Sequence, residues 1–197
     1  PPLTIRDPEP AGEKRFIVKR KDAPNLMAIA FKTPEVGHPR LFALDIAEGV
    51  LNGRSGRLYK RLVEEEKLAV SVRAANSPNK YVSEFSISVQ LRPDASLEKA
   101  EKIIWEELER LKNEPVSLRE FQKVKNNSYA SIVRSLRDME NVATMLAWYE
   151  IFGDYKIFLS WAEKLDSVSV ENVQEAAKET FKKELSVNGI LLGTQGE

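Results

Sequence analysis

Leu41–Asn76 reads LFALDIAEGVLNGRSGRLYKRLVEEEKLAVSVRAAN. Leu41, Leu44, Ala47 and Leu51 recur at helical spacing, and Ile46 and Val50 widen the stripe, which predicts an amphipathic helix. Asn52-Gly53-Arg54-Ser55-Gly56 then breaks the periodicity with residues that turns favour. Leu58, Leu62 and Val63 give a second helix its apolar side over Arg57–Glu66. From Leu68 the period changes to that of a strand, with Leu68, Val70 and Val72 alternating with Ala69, Ser71 and Arg73.

Outward from this stretch, Tyr81–Leu91 alternates again through Phe85, Ile87, Val89 and Leu91, and is expected to pair antiparallel with the Leu68 strand. The Asn76–Lys80 segment between them is a hairpin turn. Toward the N-terminus, Arg15–Arg20 and Asn25–Thr33 read as strands joined at Asp22-Ala23-Pro24, expected to form a hairpin or to be sheet neighbours. Pro1–Gly12 is proline-rich and reads as an extended linker, so residues 1–14 are expected to lead in from a preceding domain and 15–197 to form a single domain. The opening Pro1-Pro2, without Met, points to a piece of something longer.

Beyond Ser96 the pattern is helical. Leu97, Ala100, Ile104, Leu108 and Leu111 share one face. Ser117 and Glu120 form a Ser-x-x-Glu capping box that opens a helix expected to run to about Phe152, with a kink near Arg137-Asp138. Helices over Tyr155–Leu165 and Val170–Phe181 follow, and Leu185–Leu192 is a closing strand. Strands adjacent in sequence with helices in blocks give an α+β fold: an antiparallel sheet with helices packed on one face.

Lys plus Arg equals Asp plus Glu at 30 each, which argues against a nucleic-acid footprint. Cysteine is absent, excluding disulfides and thiol chemistry while leaving the compartment, periplasmic or cytoplasmic, open. No apolar run approaches the roughly 20 residues of a membrane-spanning helix.

A hydrolytic zinc of the helical kind needs two imidazoles one turn apart, with a carboxylate base and a third ligand. The chain has one histidine, His38, placed in a loop before a helix start, so it cannot build that site. Gly53–Arg57 could cradle a phosphate, but no strand feeds it and no Lys-Ser/Thr follows the second glycine; helix end and helix cap is the simpler assignment. Glu64, Glu65 and Glu66 point three ways around a helix and cannot converge on a ligand. Leu118, Phe121, Tyr129, Met145, Trp148 and Tyr149 could line a ligand pocket, with core packing the expectation.

The wording of the central stretch, Gly53, Ser55, Gly56, Arg57, Leu58 and Tyr59, then Leu62-Val63 and Leu68-Ala69, resembles the second-domain signature of the pitrilysin/insulinase family of zinc peptidases, which includes the mitochondrial processing peptidases. Glu120–Lys125 resembles the start of that family's long helix, and Asp166–Val173 its late helix opening. The resemblance implies a processing-peptidase-like metallohydrolase fold and the role of a C-terminal, non-catalytic domain. Zinc is then expected in a partner N-terminal domain of the same chain or in a homologous subunit, with no metal or catalytic residue in this one. The resemblance implies a peptide substrate, and neither nucleic acid nor a membrane span.

Some non-zinc domains of the family carry an Arg and a Tyr that hold substrate. The matching positions here are Val63 and Val70, so neither role carries over. The resemblance leaves Val63, Leu68, Val70 and Val72 as candidate substrate contacts, with a peptide adding as a strand at a sheet edge formed by Leu68–Val72 or Phe85–Leu91. A catalytically dead homologue that stabilises an active partner is the alternative from another class; an enzyme of small molecules using Gly53–Arg57 is a third. Apolar helical surface left bare by a missing domain could also promote dimers.

Overall fold

The computed structural model describes Pro8 and residues 11–194. Most of the expected linker, residues 1–7, 9 and 10, lies outside the described residues. Pro39–Leu51 forms helix α1, opened by Pro39 in its first turn and by His38, whose Nδ1 accepts the Arg40 N–H at 3.1 Å. Its apolar stripe, including Leu44, Ile46, Ala47 and Leu51, has essentially no exposed surface.

Arg57–Tyr59 starts α2, which widens over Lys60–Glu65 into a π-helical stretch rather than continuing as α-helix to Glu66. The wider turn keeps both Leu58 and Leu62 fully buried, while Glu64, Glu65 and Glu66 face solvent on different sides. Lys67, at φ 51°, ends the helix in a left-handed residue.

Five strands make one sheet: β1 (Lys14–Lys21), β2 (Leu26–Thr33), β3 (Ala69–Ser77), β4 (Ser83–Leu91) and β5 (Ser186–Thr194), in the spatial order β1-β5-β2-β4-β3. Three contacts are antiparallel, and β1 runs parallel to β5. The expected β1–β2 hairpin is therefore corrected, because β5 lies between the two strands. The connection crosses the end of β5 at Gly193, where a Cβ would sit 1.9 Å from the Ala23 carbonyl oxygen. Asn25 Oδ1 accepts the Gly193 N–H at 2.9 Å, fixing that crossing.

The helices continue with α3 (Leu97–Asn113), α4 (Leu118–Ser135), α5 (Met139–Phe152), α6 (Lys156–Leu159), α7 (Trp161–Ser167) and α8 (Val170–Thr180). The single kinked helix expected to run to about Phe152 is instead two helices, parted where the kink was expected: Leu136 ends α4 and Asp138 caps α5 by accepting the Glu140 N–H at 2.9 Å. The single helix expected over Tyr155–Leu165 is instead α6 and α7, separated at Ser160.

Alternation along β2 and β4 turns Met27, Ile29 and Phe31 with Phe85, Ile87 and Val89 toward the helices. There Phe31 and Phe85 each meet Phe181 edge-on, at ring-centroid distances of 5.3 and 4.9 Å. The opposite sheet face has no helix over it among the described residues. It shows the small or polar side chains of Ala28, Ala30, Ser71, Ser86 and Ser88, none of them fully buried. No described helix is long and apolar enough to cross a membrane.

The aromatic stripe expected in the core departs from it. Phe121 is buried, but Leu118 is exposed and α5 buries none of its residues. Trp148 stacks on Phe152 and Tyr149 on Phe158, so these rings pack on one another while Met139 and Ile151 remain bare.

Candidate functional site

The signature turn is a structural joint. Gly53 sits at φ 75°, the left-handed region that glycine occupies without strain. Gly56 has ordinary dihedrals but no room for a side chain, since a Cβ would lie 2.2 Å from the Asn52 carbonyl oxygen. Arg57 then donates from Nε and Nη2 to the two carboxylate oxygens of Glu120, both at 2.9 Å. This is a forked ion pair between α2 and the first turn of α4.

Glu120 also closes the capping box with Ser117, accepting from its hydroxyl at 2.7 Å. The Arg57 guanidinium, followed by Ser117, holds the Glu120 carboxyl down at about 2. Ser55 is exposed and accepts a hydrogen bond from Lys123 Nζ, Leu58 is fully buried and Tyr59 half-buried. Of the groups that could have served a phosphate, Arg57 and the Ser55 hydroxyl are both engaged with α4, and Arg54 is exposed.

Two asparagines, one at the end of α1 and one at the end of the stretch, make contacts that periodicity does not reveal. Asn52 donates from Nδ2 to Ala74 O at 2.9 Å and accepts from Ala74 N–H at 3.4 Å, pinning the end of α1 to β3. Asn76 donates to Leu41 O at 3.1 Å and to Asp45 Oδ1 at 2.7 Å, while its own N–H reaches Glu48 Oε2 at 3.0 Å. The sequence signal was available in the two asparagines that bracket the helix-to-strand path, and in Asp45 and Glu48 within the apolar stripe. Burial pushes the Asp45 carboxyl up to about 7, against the lowering effect of Asn76, and raises Glu48 as well.

The four candidate substrate contacts separate on inspection. Leu68 is buried, and Val63 and Val72 are half-buried against the core. Only Val70 is freely accessible, at 55%, because a β-bulge between Ala69 and Ser71 turns it out of the ladder. β3 is an edge strand, whereas β4 is hydrogen-bonded on both sides, which corrects the placing of Phe85–Leu91 at an edge. A shallow depression of about 450 Å³ crosses the uncovered sheet face, floored by Ala28, Ser88 and Gln90 and walled by Leu26, Ser71 and Arg73.

His38 caps α1 beside a second cavity, of about 370 Å³, with Arg40, Phe42, Lys164 and Glu179. Arg40 is paired there with Glu179. Among the described residues, no three His, Cys, Asp or Glu side chains are placed to hold a metal ion. A lone imidazole accepting a backbone N–H does not fit a hydrolytic zinc.

The site is thus that of an α+β domain whose signature residues are spent on joining helices and whose one histidine caps a helix. Residues 1–128 match the family model described as the peptidase M16 inactive domain, and the chain belongs to that family. It is 26% identical over 181 residues to the zinc protease PqqE of Helicobacter pylori, matching 90% of this chain and 40% of that protein. The crystal structure of a protease from Helicobacter pylori superposes with a TM-score of 0.91 at 25% identity, over 97% of this chain and 46% of that one. The inactive peptidase domain of a putative zinc protease from Bordetella parapertussis superposes at 0.81, also at 25% identity, over 91% and 96% respectively. The chain thus spans less than half the length of its curated relative and nearly all of an isolated inactive domain.

Proposed function

We propose that this chain, with residues 15–197 as one domain, is the C-terminal, non-catalytic half of a zinc metalloendopeptidase, and that its uncovered sheet face forms a wall of the substrate chamber. The observation that carries this is the asymmetry of the sheet. One face is buried under α1, α3 and α8, and the other presents a band of small side chains over a shallow depression. Small residues leave the backbone open to an extended chain without the specificity that deep pockets impose. Zinc and the general base would be supplied by the N-terminal half of the same chain or by a homologous subunit. That half would also cover the bare apolar side chains of α4 and α5, among them Val133, Leu136, Met139 and Ile151.

Val70 is the residue through which the β3 edge would meet peptide, with Val63, Leu68 and Val72 supporting it from beneath. The curated relatives named as zinc proteases favour this role over that of a dead partner-stabilising homologue. Hydrolysis of a quenched fluorogenic peptide by the full-length parent but not by this chain is the expected result. In the parent, Ser88→Trp is expected to lower kcat/KM with zinc content and folding unchanged. Zinc-dependent hydrolysis by the chain alone would refute the role, and an unaffected kcat/KM in Ser88→Trp would refute the chamber face. Val70→Asp tests the edge separately: peptide binding unchanged in folded protein removes Val70 from the path.

A further inference from the structure

β1, Lys-Arg-Phe-Ile-Val-Lys-Arg-Lys over Lys14–Lys21, closes the sheet at the end opposite the signature. It has β5 on one side and no strand among the described residues on the other, and every residue in it is exposed. Asp22 N–H donates to Thr194 O at 3.1 Å, and Lys21 stands opposite Thr194 in register. In a parallel ladder alternate residues face the same neighbour, so the even-numbered residues serve β5. Arg15, Ile17 and Lys19 therefore turn their N–H and C=O groups outward, as an unfilled template.

The side chains around that template have a definite chemistry. Phe16, Ile17 and Val18 are 55%, 55% and 50% exposed, on both faces of the strand. Phe16 lies over Gly189, where a Cβ would come within 2.8 Å of its ring, yet half of it remains bare. Five of the eight residues are basic and none is acidic. Arg15 is held by Glu101 at 2.7 and 2.8 Å, and Glu13 accepts from Asn188 at 2.7 Å. Lys14, Lys19, Arg20 and Lys21 have no ion-pair partner among the described residues.

We propose that the β1 edge is a strand-docking site for an extended segment of a partner protein, apolar at its centre and acidic at both ends. Its backbone would complete the ladder at Arg15, Ile17 and Lys19, its centre would cover Phe16, Ile17 and Val18, and its carboxylates would meet Lys14 on one side and Lys19, Arg20 and Lys21 on the other. Basic residues alone on an edge serve to keep other strands away. Here they bracket three half-bare apolar side chains, which distinguishes a docking edge from one that is merely protected. A second copy of the chain is the wrong occupant, because antiparallel pairing of two β1 strands about Ile17-Val18 sets Lys14 against Lys21 and Arg15 against Arg20. Phe16 and Val18 share the uncovered face, but the open edge of β1 lies two strands away from Leu26 and Ala28 of the depression, and the proposal does not depend on the chamber.

The probe is a fluorescein-labelled peptide with valines and isoleucine at its centre and glutamates at both ends, titrated into the folded chain and followed by anisotropy. A control peptide carries lysines in place of the glutamates. The acidic peptide is expected to bind saturably, at least about tenfold more tightly than the control, and less tightly as added salt screens the charges. Ile17→Pro removes an outward N–H while sparing the β5 ladder, the kind of position where an edge strand accepts proline. It is expected to weaken binding about tenfold. Lys19→Glu with Arg20→Glu should do the same through charge, and keeps the test alive if the proline variant fails to fold, which circular dichroism reports. Equal binding by folded variants, equal binding of the two peptides, preference for phosphatidylserine vesicles over the peptide, or a dimer formed through β1 would each overturn the proposal.

Discussion

Glu120→Gln removes one charge from the joint between α2 and α4 while leaving an acceptor and a donor at the capping position. Gln serves at that place in a capping box nearly as Glu does, so the cap with Ser117 survives. What is lost is the carboxylate that receives both forks of Arg57, whose side chain is only 12% exposed. A shift from 4.5 to about 2 corresponds to a ceiling of about 3.4 kcal/mol at about 1.36 kcal/mol per unit. Glu120 is 33% exposed, so solvent screens part of that interaction, and the expected loss at pH 7 is about 1–2 kcal/mol.

The assay is urea unfolding, where the midpoint should fall and the slope stay unchanged. Because the folded-state pKa is depressed, this stabilisation is complete above the ordinary carboxylate pKa of about 4.3 and is lost as pH falls toward about 2. The difference between wild type and Glu120→Gln should therefore close across that window. Arg57→Met combined with Glu120→Gln should cost less than the two single changes added together, by at least about 0.5 kcal/mol. A Glu120→Gln loss below about 0.5 kcal/mol at pH 7, or strict additivity, would refute the joint as described.

Three further changes test other contacts. Gly49→Ala would place a methyl 2.4 Å from Val124 Cγ1, so it should cost about 1–3 kcal/mol by pushing α1 and α4 apart, and Val124→Ala in the same chain should recover part of the lost melting temperature. Glu107 is fully buried and accepts from Arg61 at 3.2 Å and Arg110 at 3.1 Å; both guanidiniums reach solvent and keep Glu106 or Glu114 as a second partner, so Glu107→Ala should destabilise by about 2 kcal/mol in denaturant titration, from the lost hydrogen bonds between charged groups. Asp45, raised to about 7, favours folding only while protonated, so its contribution falls as pH rises from about 4 through about 7. Asp45→Asn keeps an acceptor for Asn76 and should flatten that part of the stability-against-pH curve, leaving the variant about 1 kcal/mol more stable than wild type at pH 8.

Much of the site's character was legible in residue types. One histidine cannot supply the paired imidazoles of that hydrolytic zinc site in any fold, and the run from Gly53 to Tyr59 carried the resemblance that the family match bears out. The role of Arg57 was not legible, because its partner Glu120 lies 63 residues away and only the packing of α4 on α1 and α2 brings them together. Val63, Leu68, Val70 and Val72 looked alike as apolar letters. A bulge, which shifts register by one residue without any mark in the alternation, makes Val70 the exposed one.

Periodicity by itself determined the element types, since helix and strand are local consequences of which side chains share a face. It placed α1, β3, β4, α3 and α8, and the α+β class, while the kink expected near Asp138 is a full break between two helices. The order of strands was decided only in three dimensions. A chain-end strand can enter between two strands that are adjacent in sequence, and β5 does so because Gly193 lets the β1–β2 connection pass over it. Burial of α5 was likewise undecidable from its letters, because an apolar helix is apolar whether it lies inside a core or waits on a surface. Which of these holds depends on what other elements reach it, and among the described residues none buries it.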